Sequence, residues 1–115
     1  MKEIVIIEND REILEIMEYI LIEQGYNVIA VLNETDLLSI VKPDLILLDN
    51  WLNGRSGHDI CIELKQDLAT SAIPVILISA GNNLDEVAKS CQADSYINKP
   101  FDIEDLITEV NKHLD

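Results

Sequence analysis

Five short apolar runs, separated by segments with apolar residues at helical spacing, are the feature of this sequence that most constrains its fold. They lie at residues 4–7, 28–32, 45–48 and 75–78, with a weaker run at Tyr96 and Ile97. Most are nearly unbroken and rich in β-branched residues, which is typical of strands covered on both faces. Strict alternation of strands with helices predicts right-handed crossovers and a doubly wound α/β fold, with a parallel sheet between two layers of helices.

Four of the intervening and following segments carry an apolar stripe that predicts an amphipathic helix. The stripes consist of Ile13, Leu14, Met17, Ile20 and Leu21; of Ile60, Cys61, Leu64 and Leu68; of Leu84, Val87, Ala88 and Cys91; and of Ile103, Leu106, Ile107, Val110 and Leu114. Residues 35–41 predict a further, shorter helix. Turn and cap signals agree with these boundaries, since Gly25 follows the first helix and Pro74 opens the fourth strand.

The length and charge of the chain limit the number of domains it can form and the kinds of partner it can bind. A chain of 115 residues is near the usual size of one globular domain, and we expect a single domain over residues 1–115. The 22 acidic residues exceed the 8 Lys and Arg, which leaves a net charge of −14. That charge repels phosphate backbones and anionic lipid surfaces, so we expect no direct nucleic-acid or membrane binding.

The two cysteines and the amino terminus point to a cytoplasmic protein. Cys61 and Cys91 show no metal-ligand spacing, and we interpret them as small buried thiols that remain reduced. The apolar run at residues 4–7 is too short for the core of a signal peptide or for a membrane span.

Polar residues follow four of the predicted strands at the point where each strand ends. Glu8, Asp49, Ser79 and Lys99 should therefore meet at one edge of the sheet, where parallel α/β sheets place their sites. Carboxylates that converge repel each other unless a cation lies among them, and oxygen ligands favour Mg²⁺. A hydroxyl and an ammonium group beside that ion are suitable donors to a phosphoryl group. The pattern predicts a phosphoryl-transfer site, with neighbouring Asp10 as the N-cap of the first helix.

An ordered set of motifs extends over essentially the whole chain. An acidic cluster after the first strand is followed by LLD at 47–49 and by Gly57, eight residues beyond Asp49. The fourth strand reads PVILISA at 74–80, and the fifth strand and its turn read ADSYINKPF at 93–101. In this order and spacing the chain closely resembles the receiver domain of response regulators in bacterial two-component signalling.

The resemblance implies a flavodoxin-like sheet of five parallel strands in the order 2-1-3-4-5 and assigns roles to the strand-end residues. Asp49 corresponds to the phospho-acceptor, and Ser79 and Lys99 correspond to the groups that contact the phosphoryl oxygens. The Mg²⁺ ligands of the family correspond to Glu8, Asn9, Asp49 and the backbone carbonyl of Trp51. The Lys99–Pro100 peptide bond is cis in relatives.

The resemblance also implies a switch and partners. Ser79 and Tyr96 correspond to the family's switch residues, the hydroxyl moving toward the phosphoryl group while the aromatic ring turns inward. The phosphoryl donor would be a sensor histidine kinase or a phosphotransfer protein. A downstream protein would bind the face from Asn82 to His113, which contains the helix after the fourth strand, the fifth strand and the last helix. Such a chain is a signalling switch with weak self-catalysed phosphorylation and dephosphorylation rather than a metabolic enzyme.

Departures from the family pattern leave an alternative open. Asn9 stands where relatives usually have Asp, Asn53 stands where they commonly have Pro, and Trp51 is bulky for its position. The alternative is a receiver-like interaction module that no longer depends on phosphorylation. A flavin-phosphate binder is disfavoured by the acidic loop after the first strand, which would repel phosphate. An aspartate-dependent phosphatase is disfavoured because Trp51 stands where its second Asp would be.

Overall fold

A computed structural model describes residues 1–33, 42–52 and 54–114. Five parallel strands form one sheet in the order β2-β1-β3-β4-β5. They are β1 (Glu3–Ile7), β2 (Asn27–Val31), β3 (Leu45–Asp49), β4 (Val75–Ser79) and β5 (Ser95–Asn98). The predicted flavodoxin-like fold and its strand order are confirmed. The helix predicted at 35–41 and the departure at Asn53 fall outside the described residues.

Helices in the described part of the chain are α1 (Arg11–Glu23), α2 (Gly57–Gln66), α3 (Leu84–Ser90) and α4 (Ile103–Leu114). Asp10 caps α1 as predicted, because its side chain accepts hydrogen bonds from the backbone N–H groups of Glu12 and Ile13. Ser56 caps α2 by accepting from the Asp59 N–H. None of the helices described is long and apolar enough to cross a membrane.

The core lies on both faces of the sheet, because successive strand residues point to opposite sides. Ile4 and Ile6 of β1 pack in a cluster with α1 and α4, while Val5 and Ile7 pack with α2 and α3. Each interior strand is thus buried on both faces, which explains its unbroken apolar sequence. In β5, an edge strand, Ile97 is the one buried residue, which explains the weakness of its signal.

Two of the predicted stripe residues are exposed. Helix α2 ends at Gln66, two residues before the stripe does, and Leu68 is 95% exposed. The buried position in this turn belongs to Thr70, whose hydroxyl donates to the Leu64 carbonyl at 2.7 Å. Ile103, the first residue of α4, is also exposed, whereas Leu106 three residues later is buried. Both cysteines are buried and free, as expected.

Candidate functional site

The carboxyl ends of β1, β3 and β4 bring three buried polar side chains together. Glu8 directly follows β1, Asp49 is the last residue of β3, and Ser79 is the last residue of β4. All three are almost completely buried at the centre of the sheet edge. Lys99 reaches the same place from beyond β5, where its backbone N–H donates to the Ser79 carbonyl at 2.9 Å. The four strand-end residues predicted from the sequence thus lie together.

Lys99 supplies the positive charge between the two buried carboxylates. Its Nζ lies 2.6 Å from Glu8 Oε1 and 3.7 Å from Asp49 Oδ2. Burial raises the pKa of Glu8, and a hydrogen bond with the Asp49 side chain raises it further. Hydrogen bonds from Lys99 and from the Asp10 N–H oppose this rise in the Glu8 pKa. The two distances show that the closer partner of Lys99 is Glu8 rather than Asp49.

The two oxygens of Asp49 have different surroundings. Oδ1 accepts a hydrogen bond from the backbone N–H of Trp51 at 3.1 Å, which fixes the orientation of the carboxylate. Oδ2 faces the ammonium group of Lys99. A carboxylate oriented in this way can present one oxygen to an incoming electrophile while the other stays bonded to the backbone.

The loop after β3 holds the first turn of α2 directly against the end of β3. The Gly57 N–H donates to the Asn50 carbonyl at 3.1 Å, and the His58 N–H donates to Asn50 Oδ1 at 2.9 Å. A Cβ atom on Gly57 would lie 2.3 Å from the Asp49 carbonyl oxygen and 2.9 Å from Asn50 Cα. Sequence spacing identified Gly57 as a landmark, but the role of Asn50 was missed. An amide residue next to Asp49 was the available signal.

Ser79 and Trp51 share one hydrogen-bond acceptor. The Ser79 hydroxyl donates to the Ala80 carbonyl at 3.2 Å, and the Trp51 indole N–H donates to the same oxygen at 3.3 Å. Trp51 is 65% exposed, so the core contributes little to holding its ring in place. No sequence pattern indicated this contact, which joins residues 29 positions apart.

Two further predicted site residues are exposed, unlike the buried members of this cluster. The side chain of Tyr96 is 40% exposed on β5, and Asn9 is exposed at the start of the loop after β1. The Lys99–Pro100 bond is cis, as the resemblance implied. Within the described ranges, no three acidic, His or Cys side chains converge. The oxygen donors present are the carboxylates of Glu8 and Asp49 and, from the loops, the Asn9 amide and the Trp51 carbonyl.

Comparison with known proteins decides the family. The family model described as the response regulator receiver domain matches residues 4–111. The chain belongs to this family. It is a receiver domain of two-component signalling, and the strand-end cluster described above lies entirely within the matched residues.

Solved structures agree with this assignment. The receiver domain of a signal transduction histidine kinase from Syntrophus aciditrophicus is 33% identical, with a TM-score of 0.90 over 99% of this chain and 90% of the other. A BeF3-activated DrrB receiver domain is 29% identical, with a TM-score of 0.87 over 99% and 97%. A two-component response regulator from Clostridium difficile, 24% identical, shares the fold with a TM-score of 0.89 over 99% and 96%.

Proposed function

We propose that this receiver domain is a phosphorylation-dependent switch in which Asp49 accepts a phosphoryl group from a phosphohistidine. The donor would be a sensor histidine kinase or a phosphotransfer protein. The observation that carries the proposal is the environment of Asp49, a buried carboxylate with one oxygen held by the Trp51 N–H and the other facing Lys99.

The transfer moves one phosphoryl group between two side chains. An oxygen of the Asp49 carboxylate forms a bond to phosphorus while the bond from phosphorus to the donor imidazole nitrogen breaks. The electron pair of the broken bond stays with the imidazole, and Asp49 becomes an acyl phosphate. The Lys99 ammonium and the Ser79 hydroxyl then donate to phosphoryl oxygens, where the transferred charge is concentrated. The domain itself turns over no metabolite.

The donor set of the site fits Mg²⁺, which prefers oxygen ligands. Glu8, Asn9, Asp49 and the Trp51 carbonyl would hold the ion. When bound, Mg²⁺ would offset the negative charge that otherwise repels a phosphoryl donor. Two buried carboxylates beside each other support this assignment. Burial and the neighbouring Asp49 raise the pKa of Glu8, which means that they disfavour its negatively charged form, and a bound cation would favour that form.

The signal would leave the site through Ser79 and Tyr96. Ser79 begins the segment that leads to α3, and Tyr96 lies on the neighbouring strand, opposite Leu77. Movement of both side chains would change the face from Asn82 to His113, where a downstream protein would bind. The exposed position of Tyr96 is suitable for a residue that can turn between solvent and the domain.

Mass spectrometry after incubation with acetyl phosphate and Mg²⁺ tests the proposal, with Asp49→Asn as the control. We expect an adduct of about 80 Da, the mass of one phosphoryl group, in the wild type and no adduct in Asp49→Asn. An adduct that persists in Asp49→Asn would place phosphorylation elsewhere. A wild type that takes no adduct from acetyl phosphate or a phosphohistidine donor would favour the phosphorylation-independent interaction module.

A further inference from the structure

Trp51 connects the acceptor and the hydroxyl-bearing strand end through both of its N–H groups. Its backbone N–H donates to Asp49 Oδ1 at 3.1 Å, and its indole N–H donates to the Ala80 carbonyl at 3.3 Å. Ala80 directly follows Ser79, so one residue bridges the ends of β3 and β4. The bridge crosses the site from the acceptor side to the hydroxyl side.

The hydrogen bond from the indole N–H to the Ala80 carbonyl, more than packing, holds the side chain of Trp51 in position. Because Trp51 is 65% exposed, burial contributes little to holding its ring over the end of β4. The indole nitrogen is a donor only, so it cannot be satisfied by another donor in the site. An exposed ring whose N–H points inward to the Ala80 carbonyl can hold that carbonyl in place.

The Ala80 carbonyl holds two donors at rest, and one of them is the group that the proposed function requires to move. The Ser79 hydroxyl donates to this oxygen at 3.2 Å. When Ser79 turns its hydroxyl toward a phosphoryl group, the carbonyl loses that donor but keeps the indole. Trp51 therefore lowers the cost of the Ser79 movement and holds the backbone from which Ser79 rotates.

We propose that Trp51 is a positioning residue, whose indole N–H anchors the Ala80 carbonyl so that the Ser79 hydroxyl can leave it for a phosphoryl group on Asp49. The inference rests on the proposed function, because it assigns Trp51 a part in the response to phosphorylation. In this role Trp51 acts on the phosphoryl site through Ala80 and Ser79.

Beryllofluoride, a mimic of the phosphoryl group, provides the first test. Trp51→Phe keeps an aromatic ring and the backbone N–H but removes the indole donor. At saturating Mg²⁺ we expect Trp51→Phe to bind beryllofluoride roughly threefold to tenfold more weakly than the wild type, as measured by ¹⁹F NMR, since one hydrogen bond is lost. Tyr19→Phe is the matched control, because it removes a polar group from an aromatic residue of similar exposure, 67%, on α1.

A spectroscopic signature separates this role from a merely structural one. Trp51 is the single tryptophan of the chain, so one indole N–H resonance reports its hydrogen bond. Beryllofluoride should move this resonance in the wild type, because Ser79 then leaves the shared carbonyl. Ser79→Ala should move the resonance in the same direction without any ligand, since it removes the competing donor permanently.

The outcomes distinguish this inference from the proposed function. If Asp49 is phosphorylated normally and Trp51→Phe binds beryllofluoride as tightly as the wild type, the positioning role is wrong while the acceptor role stands. An indole resonance that is identical in the wild type and in Ser79→Ala would also overturn it, because the two donors would then be independent. A wild type that neither takes a phosphoryl group nor binds beryllofluoride would overturn both.

Discussion

The ammonium nitrogen of Lys99 lies 2.6 Å from Glu8 Oε1, inside the cluster of strand-end residues. Glu8 is almost completely buried, and the Lys99 side chain is largely shielded from solvent. The lysine therefore compensates a buried carboxylate in the resting domain. A phosphoryl group on Asp49 would compete with Glu8 for the same ammonium group.

Replacing Lys99 should destabilise the domain because it leaves Glu8 without its cation. For Lys99→Met, which keeps an unbranched chain of similar length but removes the ammonium group, we expect the free energy of unfolding at pH 7 to fall by about 1–3 kcal/mol. Urea denaturation measures this change. Adding Glu8→Gln should restore much of the loss, since the buried charge is then removed as well. Strictly additive effects of the two substitutions would mean that the pair is not coupled.

Replacing Gly57 should damage both the fold and the site. The Cβ of Gly57→Ala would meet backbone atoms of Asp49 and Asn50, so α2 must move away from β3. We expect a loss of stability of about 2 kcal/mol or more and slower phosphorylation of Asp49 by acetyl phosphate.

Gly25→Ala is the control for this prediction. Gly25 has a positive φ of 96°, but nothing in the described part of the chain lies within 4 Å of where an added Cβ would be. The substitution should cost about 1 kcal/mol through backbone strain and keep the wild-type phosphorylation rate. A Gly57→Ala variant as stable as Gly25→Ala would show that α2 can yield to the added methyl group.

Asn9→Asp should tighten Mg²⁺ binding and speed phosphorylation by acetyl phosphate. A carboxamide can coordinate Mg²⁺, but it lacks the charge of a carboxylate, and we expect an affinity gain of roughly tenfold or more. Without metal the added charge should lower stability by repelling Glu8 and Asp49. Titration of Trp51 fluorescence with Mg²⁺ measures the affinity.

Asn27→Asp is the matched control, because exposed Asn27 begins β2 at the opposite edge of the sheet. It adds the same charge away from the site and should leave Mg²⁺ affinity close to that of the wild type. Equal affinities in the wild type and Asn9→Asp would mean that position 9 is not a metal ligand.

Beryllofluoride should change the NMR spectrum at the face from Asn82 to His113 as well as around Asp49. The reason is that Ser79 and Tyr96 both lead into this face. Changes confined to the site would contradict a switch. In Lys99→Ala the changes at the face should shrink more than phosphorylation of Asp49 does, since the lysine responds to the phosphoryl group after transfer.

Much of the fold and of the candidate site could be predicted because local sequence patterns determine where the strands and helices lie. Unbroken apolar runs such as 45–48 predict strands buried on both faces, and their alternation with helices predicts a parallel sheet. Once the sheet is parallel, residues that end its strands, such as Asp49 and Ser79, must lie at one edge. The order of the motifs indicated the family, and the resemblance to that family predicted the strand order.

Tertiary structure alone decided how those residues contact one another. The preference of Lys99 for Glu8, the approach of Gly57 to the Asp49 carbonyl and the bond from Trp51 to Ala80 each join distant parts of the chain. Leu68 also shows that sequence spacing alone does not determine packing. Its spacing fits the helix, but α2 ends at Gln66 and the chain changes direction at Asp67. Thr70 rather than Leu68 is therefore buried. Periodicity determines which face of an element is apolar, whereas distances of a few ångströms depend on how separate elements pack.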